Sequence, residues 1–158
     1  MKFLVMSILF AVAFIGCCYE VDCQKENLSF GVVSFAPTDY DTIIFRKYEA
    51  NSNFQTLLDT IELRDIYLLN PNISGDTVVF LTSDYPLLNV KFNLEAGNDY
   101  EIFFPAINKL TRVTEILETN VKVKKCPPSD GPSGCFNSII GFKIDGQLNF
   151  KEPFFINK

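Results

Sequence analysis

Histidine and tryptophan are absent from this 158-residue chain, and each absence removes a class of chemistry. Without an imidazole there is no Ser-His-Asp or Cys-His nucleophile pair, no imidazole metal site and no usual general base at neutral pH. Without an indole the best stacking platform for sugars and cations is missing. Positive charge is also scarce. Fourteen Lys and Arg stand against 19 Asp and Glu, a formal net charge of −5, which excludes a strongly basic nucleic-acid binder. No Gly-rich phosphate loop, Walker lysine, Gly-x-Ser-x-Gly elbow or His-Glu-x-x-His helix occurs. The reading is therefore of a protein that is not an enzyme, with no cofactor and no metal expected.

What the chain does have is apolar substance. It is 47% hydrophobic and 14% aromatic, with 16 Phe, which excludes disorder and supports one core rather than two.

Met1-Lys2 opens with a single positive charge, and Phe3 to Ile15 are apolar except for Ser7. That order is charged n-region, apolar h-region and small residue before a cut, the pattern of a secretory signal. The apolar run falls short of the roughly 20 residues that a membrane-spanning helix needs. Phe14-Ile15-Gly16-Cys17 resembles a bacterial lipobox, with Phe14 and Ile15 where Leu and Ala or Ser are usual. The resemblance implies cleavage after Gly16 and acyl chains, palmitate among them, on Cys17. Such loose boxes, and acidic residues like Glu20 and Asp22 just downstream, are similar to those of Bacteroidota outer-membrane lipoproteins. Two or three acyl chains anchor a protein almost permanently. The organisation expected is a signal peptide over 1–16, a lipidated tether over 17–27 with no sustained periodicity, and a domain over 28–158. Its partner is the membrane through the acyl chains; a protein or glycan partner remains open, and none is nucleic acid.

Setting Cys17 aside leaves Cys18, Cys23, Cys126 and Cys135, an even number that permits two disulfides. Cys126 and Cys135 bracket eight residues made almost wholly of turn formers. A Cys126–Cys135 bridge closing that loop would contribute roughly 2–3 kcal/mol. Cys18 and Cys23 could pair locally, or Cys23 could tie the tether to the body.

From Leu28 onward the dominant signal is alternation with a period of two, broken by turn residues. Leu28–Val32, Thr42–Tyr48, Thr77–Leu81, Val90–Leu94, Tyr100–Phe104, Val121–Lys124 and Ser138–Ile144 read as strands, with Gly31 as a candidate bulge. Asp145-Gly146 is a favoured two-residue hairpin turn. Phe54, Leu57, Leu58 and Ile61 also fit helical spacing, and Leu110 to Leu117 nearly do, but the β-branched residues around both favour strands. The fold class expected is all-β, a single antiparallel β-sandwich.

Leu94-Glu95-Ala96-Gly97-Asn98-Asp99-Tyr100-Glu101-Ile102 resembles the Leu-x-x-Gly-x-x-Tyr corner that enters a strand of immunoglobulin-like and fibronectin-type sandwiches. The resemblance implies that the Tyr100 ring enters the core while its hydroxyl bonds upstream backbone. It concerns fold alone.

Asp39 and Asp41 form the tightest carboxylate pair outside the signal region, and as turn residues they cap backbone N–H groups. Lys122, Lys124 and Lys125 read as the wet face of a strand. Pro153-Phe154-Phe155-Ile156 reads as a final strand. Asp41-Thr42-Ile43, Asp59-Thr60-Ile61 and Asp76-Thr77-Val78 resemble the O-glycosylation acceptor of exported Bacteroidota proteins, which implies glycans on Thr42, Thr60 and Thr77. The same tripeptide also arises wherever Asp ends a turn and Thr opens a strand.

The whole chain resembles small lipid-anchored β-sandwich proteins of Bacteroidota. The expected function is a structural or interaction module of the cell envelope, periplasmic or surface-exposed at the outer membrane. The second reading is a carbohydrate- or protein-binding accessory lipoprotein, for which an exposed row drawn from Tyr19, Tyr48, Tyr67 and Tyr85 would be the mark.

Overall fold

The structure, a computed structural model, describes residues 18–65, 72–74, 76–80, 93–125, 135 and 137–158. The expected signal peptide, Cys17, Cys126 and the loop after it, Tyr67, Tyr85 and the run at 90–92 lie outside the described residues. The strands are β1 (Tyr19–Asp22), β2 (Phe30–Val33), β3 (Ile43–Glu49), β4 (Leu57–Leu63), β5 (Asn72–Ser74), β6 (Thr77–Phe80), β7 (Asn98–Phe104), β8 (Lys109–Glu118), β9 (Lys122–Lys125), β10 (Ile139–Ile144), β11 (Gln147–Asn149) and β12 (Phe154–Asn157). The protein is all-β. Its contacts divide it into two units, one of residues 25–119 and 138–158, the other of 1–24 and 120–137.

The larger unit is a β-sandwich. A six-stranded sheet runs β11-β10-β8-β7-β3-β4 and a four-stranded sheet runs β12-β2-β6-β5. Period-two alternation decides which side chains meet between them. On β7, Tyr100, Ile102 and Phe104 are fully buried, as are Val113 on β8 and Phe142 on β10. Phe30 and Val32 on β2 and Phe154 and Ile156 on β12 close the core from the other sheet. The Phe30 ring meets Phe45 edge-on at 5.8 Å between centroids, and Phe142 meets Phe154 at 5.5 Å. Such pairs contribute roughly 0.5–1.5 kcal/mol beyond the area they bury.

Both segments with helical spacing are strands, β4 against β3 and β8 between β7 and β10. Phase along β8 slips at Glu115, whose φ is 49°, and this brings Ile116 back to the core after Val113. The Asp145-Gly146 turn joins β10 to β11 with φ of 47° and 82°, the left-handed pair that a tight hairpin requires. Gly31 is no bulge. Its register with β6 and β12 is unbroken, and a Cβ there would sit 2.9 Å from both the Phe155 ring and the Val78 carbonyl oxygen. Glycine is needed for close approach.

The corner at residues 94–102 forms as its resemblance implies. The Tyr100 hydroxyl accepts from the Glu95 N–H at 3.1 Å and donates to the Glu95 carbonyl at 3.2 Å. Gly97 turns with φ 90°, and burial pushes the phenol up to about 12. The final strand also forms, with one departure from an antiparallel plan. β12 runs parallel to β2, whereas the other pairs among the described residues are antiparallel.

In the smaller unit, β1 and β9 form an antiparallel ribbon. Residues 19–22, inside the segment read as a tether, are therefore a strand. Glu20 faces Lys124 and Asp22 faces Lys122 across the ribbon, so the charge alternation that lacks an apolar period is satisfied between strands. Cys135 bonds to Cys23. This corrects the expected Cys126–Cys135 bridge and selects between the alternatives for Cys23. The cause is backbone pairing: the Gln24 N–H donates to the Cys135 carbonyl at 3.2 Å, and the Asn137 N–H donates to the Gln24 carbonyl at 2.8 Å. Those bonds hold the Cα atoms of Cys23 and Cys135 5.1 Å apart, within disulfide reach. Cys18 is disulfide-bonded as well.

Candidate functional site

Two places in the sandwich gather polar chemistry. The first lies on the outer face of the six-stranded sheet. Alternation that sends Tyr100 and Ile102 inward sends Glu101 outward, and the register sets Arg46 on one side of it and Arg112 on the other. Glu101 is only 5% exposed. It accepts from Tyr48 Oη at 2.9 Å, Arg46 Nη1 at 3.3 Å and Arg112 Nε at 3.1 Å. The β3–β4 loop, with Asn51, Asn53 and Phe54 at positive φ, lays the Phe54 ring edge-on to Tyr48 at 5.2 Å and beneath the Arg112 guanidinium at 4.5 Å. Burial works to raise the Glu101 carboxyl, but the bonds from Tyr48, Arg112 and Arg46 outweigh it and hold the group below its ordinary range. Tyr48 is pushed up, first by burial and then by Glu101. With both oxygens engaged, this carboxylate is a structural tie that joins β3, β7 and β8.

The second place is a cavity of about 340 Å³ at one margin of the sandwich. It is bordered by β8, the β10–β11 hairpin and β12. Register sets its composition. Ile102 pairs with Thr111 and Phe104 with Lys109, so Thr111 and Lys109 share the inward face of those buried residues. Phe142 pairs with Asn149 and Ile144 with Gln147, which puts both amides on that face of the sheet, Asn149 half-buried and Gln147 exposed. Leu148, which also borders the cavity, and Phe150 are 57% and 71% exposed. Positions that are aromatic or aliphatic elsewhere in the core are thus polar at this margin. Phe155, Ile156 and Asn157 of β12 complete the lining. Asp145 fixes the hairpin to β8, accepting at Oδ1 from the Arg112 N–H at 2.8 Å while its own N–H donates to the Arg112 carbonyl at 2.9 Å. Thr111 is 1% exposed, and its hydroxyl has no hydrogen-bond partner among the described residues.

The other residues singled out by sequence are dispersed. Asp39 acts within its own turn, accepting from the Ala36 N–H at 2.6 Å and from Lys158 Nζ at 2.8 Å. The Lys158 bond first, then the Ala36 bond, lowers its carboxyl. Lys122 pairs with Asp22 at 3.6 Å on the exposed ribbon. Thr60 is exposed in mid-β4, and Thr42 and Thr77 are half-buried beside and at strand starts. Tyr19 is exposed and Tyr48 buried, so these two do not form a row. Among the described residues no three Cys, Asp or Glu are placed to hold a metal, and no helix is long and apolar enough to cross a membrane.

No motif in the sequence marks the cavity residues as a site; Asp145 reads as a turn former, and Phe155 and Ile156 as part of a final strand. The turn held the signal. A two-residue Asp145-Gly146 hairpin pairs Ile144 with Gln147 and Phe142 with Asn149, so both amides share the sheet face of the buried Phe142. No protein-family model, curated protein or solved structure matches this chain.

Proposed function

We propose that the protein is a non-enzymatic lipoprotein of a bacterial cell envelope. Acyl chains on Cys17 hold it at the outer membrane, and it presents its β-sandwich as a structural or interaction module. The observation that carries this reading is Phe14-Ile15-Gly16-Cys17 directly after a short apolar run. The net charge of −5 supports it, since an acidic body has no attraction to anionic lipid and stands away from the surface. The resemblance to Bacteroidota envelope lipoproteins points the same way. Thr42, Thr60 and Thr77 are its candidate O-glycosylation sites, and none of the three is buried.

The intact mass of the protein from its native membranes tests the reading. Acyl mass on a chain beginning at Cys17 is expected, with hexose-type increments lost one by one on Thr→Ala substitution at the three sites. An unacylated chain would refute the anchor.

The second reading, a carbohydrate- or protein-binding accessory lipoprotein, is favoured by one feature: the polar side chains of Lys109, Gln147, Asn149 and Asn157 around the cavity at the sandwich margin.

A further inference from the structure

We propose that Cys18 is bridged to Cys126, so that a disulfide closes the β1–β9 ribbon at the end away from Cys23 and Cys17 is left as the single thiol of the chain. The inference goes beyond the reading of the protein as a lipoprotein and does not rest on it.

Elimination leaves two partners. The chain has five cysteines. Cys18 is disulfide-bonded, and Cys23 and Cys135 are bonded to each other. Cys17 and Cys126 remain, and register decides between them. β1 and β9 are antiparallel, with Asp22 opposite Lys122 and Tyr19 opposite Lys125. At the Asp22 end the pairing runs on, since the Cys23 N–H donates to the Val121 carbonyl at 3.1 Å. One step beyond the other end, the residue before Tyr19 is Cys18 and the residue after Lys125 is Cys126. Directly opposed residues of an antiparallel pair have Cα atoms about 4.5–5.5 Å apart, inside the span of roughly 4.4–6.8 Å that a disulfide bridges. Adjacent residues across a trans peptide lie about 3.8 Å apart, too close for an unstrained bridge, which argues against Cys17.

The weakness of the ribbon gives the bridge its purpose. Four residue pairs join β1 to β9, Tyr19 is 51% exposed, and an exposed ion pair such as Asp22–Lys122 contributes little. A two-stranded ribbon with so little buried is marginal by itself. The Cys23–Cys135 bond fastens one end of β1, and a bond from Cys18 fastens the other. Its formation joins the two Sγ atoms, releases one proton from each thiol and passes two electrons to a protein disulfide, which is reduced to a dithiol. A load applied at Cys17 then crosses to β9 through a covalent bond one residue away, not through ladder hydrogen bonds. Cys17, outside both bridges, keeps its sulfur available for modification.

The test uses the full chain from its native membranes, alkylated with N-ethylmaleimide without reduction, unfolded and digested with a protease that cuts before Asp. Cuts at Asp22 and Asp130 separate Cys18 from Cys23 and Cys126 from Cys135. Mass spectrometry should find the Cys18 and Cys126 peptides linked and no maleimide on Cys18. Cys126→Ser should expose one new alkylatable thiol, at Cys18, while the Cys23–Cys135 link persists. A Cys17–Cys18 bridge, an alkylated Cys18 in the unaltered chain, or a Cys18 that stays blocked in Cys126→Ser would overturn the proposal. The map of the unaltered chain stands by itself if the variant fails to fold. The mass on Cys17 is read separately: an unacylated Cys17 beside a Cys18–Cys126 link refutes the anchor and upholds the bridge, and an acylated Cys17 beside an alkylated Cys18 does the reverse.

Discussion

At the scale of single residues, Glu101 and Tyr100 show how neighbours in sequence take opposite roles. Tyr100 faces the core and fastens its own corner; its ring burial and its two bonds to Glu95 were legible in the nine-residue pattern around it. Glu101 faces outward, and its role was not legible, because it depends on which residues β3 and β8 set opposite it. Arg46 and Arg112 are far from Glu101 in sequence or across a turn, and only register brings them together. The lowered Glu101 carboxyl fixes a sign. Its ionised form is stabilised in the folded chain, so its contribution is complete above the unfolded value of 4.5 and is lost as pH falls through the lower folded value. Glu101→Gln should therefore cost about 2 kcal/mol at neutral pH. It should also flatten the acid limb of stability against pH, as read from urea midpoints between neutral and strongly acid pH.

At the scale of elements, strands were legible wherever alternation was clean, and turn chemistry placed the hairpins. What was misread was the reason for a glycine. Period and composition could not tell a bulge at Gly31 from close packing, since the deciding neighbour, Phe155, arrives from the other end of the chain. The crowding makes a definite forecast. Gly31→Ala drives a methyl group against the Phe155 ring and the Val78 carbonyl, and should destabilise the protein by about 1–3 kcal/mol. Adding Phe155→Ala should restore only part of the loss in thermal midpoint, because the Val78 oxygen is held in the β2–β6 ladder. Full restoration would place the whole conflict at the ring.

At the scale of the whole molecule, the all-β class followed from alternation and the cysteine count permitted two bridges, but the partner of Cys135 was not deducible. Short spacing around turn formers favoured Cys126, whereas backbone pairing at Gln24 delivers Cys23. A bridge with a sequence separation of 112 constrains the unfolded chain far more than a short loop does. Cys23→Ser should lower stability by about 4–5 kcal/mol, read from the urea midpoint under oxidising conditions. Non-reducing peptide maps should join the Cys23 and Cys135 peptides, and a Cys126–Cys135 link would contradict the arrangement.

The parallel pairing of β12 with β2 also governs the order of assembly. Residues 154–157 follow the other strands in chain order, yet they supply Phe154 and Ile156 to a core that starts at Leu28. A chain that emerges N-terminus first cannot close its four-stranded sheet until that strand arrives. Until then β2 keeps an open edge. Completion of the sandwich is thereby tied to the arrival of β12.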